Sequence, residues 1–290
     1  MYQKHGRITL ERLELLNDGK CYLDSDSISI LSQVYLKRMP VSSIEVWRNT
    51  DRFTKFSDVL ASTAFIPVQT GSSFGPTWST HWFRVKFEIP DEWKDKEIHF
   101  LWDSCSEASL WSPQGRILQV SLLDKFFLHI YLLQGFNGSG GDDRRAEFIL
   151  RRPQHPPPND GLENEVYIEM ACNEMFGAGE GGMIQPPSKE KMFCLKQCEL
   201  AVFEREIWNL YCDFRILFDA AKTLPEESKR RQDALYIANQ ICNVFSSSDP
   251  SSWSHCRQLA AKYLQQTNGS SVHKVTPIGH CHIDTGSFLL

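Results

Sequence analysis

A chain of 290 residues, 41% hydrophobic and 23% charged, has the length and composition of one large or two smaller folded domains rather than a disordered segment. Its formal net charge of -5 argues against nucleic-acid backbones and anionic membranes as main partners, because both reward clustered Lys and Arg. The short basic run Lys229-Arg230-Arg231 does not change that, and a neutral ligand such as a sugar stays open.

The N-terminal apolar residues Ile8, Leu10, Leu13, Leu15 and Leu16 alternate with charges, which predicts a short amphipathic helix and no secretory leader. The longest apolar stretch, at 126–133, contains His129 and is too short to span a bilayer. The expectation is a cytoplasmic protein in which the nine cysteines stay reduced, Cys194 and Cys198 included. Residues 1–45 read as a helical and irregular segment.

Residues 46–200 read as β-structure. Trp82-Phe83-Arg84-Val85-Lys86-Phe87-Glu88-Ile89 alternates apolar and polar residues and ends at Pro90-Asp91, as a half-buried strand does. Residues 98–102 and 166–171 are further strands. Several short strands punctuated by Gly, Pro, Asn and Asp predict an antiparallel β-sandwich. The acidic residues Asp91, Glu92, Asp95 and Glu97 read as a solvated face. Trp78, Trp82, Trp102 and Trp111 are either core or sugar-stacking residues, with core the commoner fate of such aromatics. The Gly-rich run at 176–182 lacks the Lys-Ser/Thr ending of a phosphate-binding loop and reads as a turn.

From about 199 the pattern turns helical: Leu200, Val202, Phe203, Ile207, Leu210, Phe214, Leu217 and Phe218 recur at steps of three or four, up to Pro225. A solvated restart that includes Lys229, Arg230 and Arg231 leads into a second helix at about 228–245. A third covers about 253–266. These helices form a connector over 201–270, and 271–290 begins another domain with a buried strand at 272–278.

That strand runs into Gly279-His280-Cys281-His282-Ile283-Asp284-Thr285. Imidazole and carboxylate are ligands for a divalent metal such as zinc. On an extended chain, residues at i and i+2 share a face, so His280, His282 and Asp284 project together. Polar ligands at the carboxyl end of a strand suit the opening of a (β/α) barrel. An amidohydrolase-like metal hydrolase remains an alternative at this stage.

The motif resembles the opening of the catalytic domain in glycoside hydrolase family 38. Upstream stretches are similar to the cytosolic α-mannosidases of that family. They include Gly71-Ser72-Ser73-Phe74-Gly75-Pro76-Thr77-Trp78, Ala171-Cys172-Asn173, Lys191-Met192-Phe193, Glu199-Leu200-Ala201-Val202-Phe203 and Ala234-Leu235-Tyr236-Ile237-Ala238-Asn239-Gln240. The resemblance implies a galactose-binding-like sandwich, a helical connector and the first strand of an incomplete barrel. It implies a retaining α-mannosidase that trims free mannose-rich oligosaccharides. His282 and Asp284 would be two of four metal ligands, with zinc the expected metal and cobalt an alternative; His280 would support them. The homologous nucleophile and acid/base find no match here, so catalytic residues are expected outside this chain, which is expected to be inactive alone. The substrate is the expected partner of the full-length protein, with homo-oligomer formation possible. A non-catalytic carbohydrate-binding or assembly module is the alternative from another class. Residues 120–134 interrupt the resemblance, since Gln119 would join Gly135 directly; they read as an insert of splicing or gene-model origin.

Overall fold

The computed structural model of the chain describes residues 5–18, 29–50, 54–119, 136–137, 145–153, 164–173 and 188–267. The insert at 120–134, the glycine run at 176–182, the expected strand at 272–278 and the motif at 279–285 lie outside them. The chain divides into two compact units, one of Leu15–Tyr211 and one of Met1–Glu14 with Cys212–Leu290.

Helix α1 (Gly6–Asp18) comes first, followed by β1 (Lys37–Pro40), β2 (Ser43–Thr50), α2 (Phe56–Ala61), β3 (Ile66–Pro67) and β4 (Ser73–Phe74). The central strands are β5 (Thr80–Lys86), β6 (Ile98–Asp103), β7 (Glu107–Trp111) and β8 (Ile117–Gln119). Then come β9 (Phe136–Asn137), β10 (Glu147–Arg151), β11 (Glu165–Ala171), β12 (Phe193–Cys194) and β13 (Gln197–Val202). Helices α3 (Arg205–Thr223), α4 (Lys229–Val244) and α5 (Pro250–Leu264) complete the described elements.

The expected antiparallel sandwich is present. One sheet has the order β1-β13-β6-β10, and the other runs β3-β2-β5-β11-β7-β8 with β9 also paired to β7. Alternation decides which side chains face inward. Phe83 and Val85 of β5, Ile168 and Met170 of β11, and Leu110 of β7 fill one wall of the core. Ile98, Phe100 and Trp102 of β6, with Cys198, Leu200 and Val202 of β13, fill the other.

Three sequence expectations are corrected in this unit. Leu200 and Val202 belong to a strand, not to the start of a helix. β13 pairs with β1 along one edge and β6 along the other, so its backbone is satisfied as an inner strand and α3 starts only at Arg205. Residues 37–45 also supply strand: β1 and the first residues of β2 are sheet members rather than irregular leader. Glu97 is not part of a solvated face, because its side chain is only 10% exposed and ion-paired.

In the second unit, α4 packs against α5. Arg231, expected to be solvated, is buried instead, and its Nε donates to the carbonyl of Ala221 at 2.9 Å. Arg12 Nη1 donates to Asn239 and Asn243, each at 2.8 Å. Asp249 caps α5: its carboxylate accepts from the Ser251 N–H at 3.0 Å, with Pro250 at the first helical position. Asp249→Ala is expected to cost about 1 kcal/mol, read as a lower thermal midpoint of the α-helical signal. No described helix is long and apolar enough to cross a membrane.

Candidate functional site

The expected metal ligands His282 and Asp284, and the neighbouring His280, lie outside the described residues. Among the described residues, no group of three or more His, Cys, Asp and Glu is placed to hold a metal ion. His81 is buried beside Phe74, and two further groups of side chains with shifted protonation lie on the outer faces of the two sheets.

On the four-stranded sheet, alternation turns His99 of β6 away from the core that Ile98 and Phe100 enter. Its Nδ1 lies 2.8 Å from the Tyr35 hydroxyl and its Nε2 lies 3.1 Å from Glu97 Oε1. Those partners fix a neutral imidazole that donates from Nε2 and accepts at Nδ1. Phe203 stacks on the ring at 4.3 Å between centroids. Arg205, at the start of α3, grips the Glu97 carboxylate, and Arg152 Nε adds a longer contact at 3.4 Å. Burial pushes the His99 pKa down to about 4, against the pull of Glu97, while Arg205 and Arg152 push the same way as burial. Burial works to raise the Glu97 pKa. The hydrogen bonds from Arg205 and His99, with their charges, outweigh it and hold Glu97 below the usual carboxylate range. Burial raises the Tyr35 pKa.

A cavity of about 560 Å³ opens over this face, lined among others by Tyr35, Arg38, His99, Glu147, Arg205 and Trp208. Its lining carboxylate, Glu147, accepts from the Ala146 N–H at 3.1 Å, and the carboxylates nearby are ion-paired, Glu97 with two arginines and Glu199 with Arg38 at 2.9 Å. A Tyr–His–Glu chain of this kind resembles a proton relay. Here the terminal glutamate is fixed as an ionised partner of arginine, and the tyrosine is held protonated. The arrangement locks the sheet face and its loops; it offers neither a nucleophile nor a poised acid.

The outer face of the seven-stranded sheet differs. Trp82 of β5, Tyr167 of β11 and Trp111 of β7 form a satellite cluster with Phe56 of α2, whose ring lies parallel to Trp111 at 5.3 Å. Farther along the same strands come two carboxylates, Glu169 and Glu107. Burial raises both pKa values; Trp111 partly offsets it at Glu169, and Asn173 does so at Glu107. Asn173 Nδ2 donates to the Glu107 carboxylate at 2.5 Å.

The four tryptophans therefore separate. Trp102 is buried in the core between the sheets and Trp82 in the satellite cluster, so neither can stack on a sugar, and Trp111 has one face covered by Phe56. Trp78 alone of the four stands out, at 55% exposure. That Glu107, opposite Ala171, and Glu169, opposite Ser109, come to share one face has no local sequence signal, because it depends on the register of β7 against β11.

A family profile described as the α-mannosidase jelly roll domain matches residues 39–201, the span of the sandwich. The mouse protein "Alpha-mannosidase 2C1" is 33% identical over 294 residues, covering 98% of this chain and 25% of the relative's own length. Its human counterpart is also 33% identical, covering 97% of the chain and 25% of the relative. "Alpha-mannosidase G" of Dictyostelium discoideum is 31% identical, covering 97% of the chain and 24% of the relative. The chain thus spans about a quarter of the length of these proteins.

Proposed function

The chain belongs to the α-mannosidase family, whose jelly-roll domain it carries, and we propose that it is the N-terminal part of a metal-dependent, retaining α-mannosidase that trims free mannose-rich oligosaccharides in the cytosol. The observation that supports this reading best is similarity along nearly the whole chain, ending in a segment that carries His282 and Asp284.

In this reading His282 and Asp284 contribute two ligands to a zinc site, with cobalt as the alternative metal. The donor set suits either ion: an imidazole nitrogen and a carboxylate oxygen two residues apart face the same way on an extended chain. Bound there, the metal supplies a Lewis-acidic anchor for sugar hydroxyls. Two ligands are fewer than the three or four that hold zinc firmly, so firm binding belongs to the full-length protein. A retaining mechanism also needs two closely spaced carboxyl groups, one as nucleophile and one as acid/base. Both are assigned to the part of the relatives that this chain does not span, and the 290 residues alone are expected not to hydrolyse mannosides.

The sandwich then serves as an accessory domain, consistent with its engaged polar network around Glu97. Chelation of the full-length protein is expected to abolish hydrolysis of a chromogenic α-mannoside, and added zinc or cobalt to restore it. Hydrolysis indifferent to chelation would remove the metal from the proposal, and absence of any mannoside hydrolysis would remove the activity.

A further inference from the structure

The register of the four-stranded sheet brings arginines from distant parts of the chain to one cavity on its outer face. Glu147 and Ile149 of β10 stand opposite Leu101 and His99 of β6, which on their other side stand opposite Glu199 and Ala201 of β13. Arg38 of β1 stands opposite Ala201. Phe148 and Leu150 pack against the core, so Glu147 and Ile149 take the face away from it. Arg145 comes two residues before Glu147. Between them the Ala146 carbonyl accepts from the Trp102 N–H at 2.7 Å, which ties that stretch to β6. The residues around the cavity all belong to the unit of Leu15–Tyr211.

Arg38, Arg145, Arg152 and Arg205 all line this cavity of about 560 Å³. Three of them are compensated: Arg38 by Glu199, and Arg152 and Arg205 by Glu97, which they share. Arg145 makes no ion pair or hydrogen bond among the described residues, and its Nε is buried without an acceptor. Buried polar atoms are nearly always paired, so an orphaned guanidinium donor at a cavity wall calls for a partner. His99, held neutral by burial, adds no charge. Against the four arginines stand Glu97, Glu147 and Glu199, which leaves one positive charge without a counter-ion. Much of the remaining lining is apolar. Leu31, Ile149 and Trp208 belong to it and are 39%, 37% and 36% exposed.

We infer that this cavity binds a small organic carboxylate with an apolar body, the carboxylate taken by Arg145 and the body lying against Leu31, Ile149 and Trp208. The volume falls in the range of small-molecule sites. A guanidinium presents a fork of N–H donors that matches the two oxygens of a carboxylate. A cation is repelled by the arginines. A dianion is disfavoured, because only one positive charge is uncompensated and Glu147 shares the cavity. A neutral ligand would leave the Arg145 charge unanswered. The inference does not rest on the mannosidase reading, since the location and the charge of the ligand both come from this face of the sheet.

The test is titration of the 290-residue chain with benzoate, followed by ligand-observed nuclear magnetic resonance. Benzoate is expected to bind with a Kd of about 1 mM or tighter. Benzyl alcohol, which has the same ring and no charge, should bind at least about tenfold more weakly. Arg145→Gln should weaken benzoate by at least about tenfold, and Arg145→Lys, which keeps the charge and loses the fork, by less. Glu147→Gln should tighten it by about two- to fivefold, because a repelling charge leaves the cavity. Arg7→Gln, on α1, should change nothing. Near-ultraviolet circular dichroism confirms that each variant is folded; if Arg145→Gln is not, the tightening expected of Glu147→Gln decides. No binding of benzoate by the wild-type chain at about 10 mM overturns the inference, as does unchanged affinity in folded Arg145→Gln or equal binding of benzyl alcohol. A preference for phenyl phosphate over benzoate overturns the choice of a carboxylate.

Discussion

Trp102→Ala is expected to destabilise the sandwich by about 3–5 kcal/mol, the range for deleting a large buried aromatic. Trp102 is fully buried on β6, facing the other sheet. Its ring meets the Phe83 ring edge-to-face at 4.9 Å, so one side chain bridges the two walls of the core. The indole Nε1 donates to Ser104 Oγ at 3.1 Å, and Ser104 in turn lies 3.0 Å from Ser106. Truncation therefore leaves a cavity and removes a partner from a buried hydroxyl pair. Against a total stability of about 5–15 kcal/mol for a domain, the loss is large enough to leave a sizeable unfolded fraction at 37 °C. Trp102→Phe keeps the ring contact and should cost less. Urea midpoints of the three proteins check this; a Trp102→Ala midpoint matching that of the wild type would show that the bridge does not hold the sheets together.

The second large effect is acid sensitivity. His81 is completely buried and His99 nearly so. Burial, reinforced at His81 by Arg48, lowers both pKa values to about 4 from 6.5. The unfolded chain therefore binds more protons than the folded one between those values. Stability falls as pH drops from about 6.5 towards about 4, and this loss levels off below that. A depression of that size is linked to up to about 3 kcal/mol per histidine. Glu97, held low, adds a further loss as pH falls through its folded pKa. Glu107 and Glu169, held high by burial, act in the opposite sense: their contribution is present below the unfolded carboxylate pKa and is lost as pH rises through the folded value. Because their range opens upward from the ordinary carboxylate pKa, they offset only part of the histidine effect. The urea midpoint is expected to fall clearly between pH 7 and pH 5. An unchanged midpoint over that interval would contradict the burial of both imidazoles as neutral groups.

Local pattern revealed those parts of the fold in which each strand carries its own alternation. Residues 80–86, 98–103 and 165–171 are strands because apolar side chains at every second position fill one core. Alternation fails at β13, where Leu200, Ala201, Val202 and Phe203 run together and merge with the helical spacing that begins at Ile207. Only its pairing with β1 and β6 makes it a strand, and neither partner is near it in sequence. Glu97 was misread for a similar reason: a cluster of acidic residues looks solvated until Arg152 and Arg205, from distant elements, converge on one member. The proposed metal-ligand motif at 279–285 is a contiguous run of residues and lies outside the described ones, whereas the placing of Glu107 and Glu169 on one face needs the register of β7 against β11. Side-chain fate followed position in the sandwich rather than residue type. Trp102 is buried between the sheets, Trp82 is buried in the satellite cluster on the outer face, and Trp78, of the same residue type, is exposed.

The proposal that chemistry in this protein depends on a metal held through the segment after residue 279 is tested most directly by counting metal. Full-length wild-type protein and Asp284→Asn would be purified side by side, and zinc and cobalt content measured on the same samples as mannoside hydrolysis. The wild type should carry about one ion per chain, and Asp284→Asn should lose most of it together with at least about a hundredfold in hydrolysis. Full metal content and undiminished hydrolysis in folded Asp284→Asn would contradict the assignment of this aspartate as a ligand.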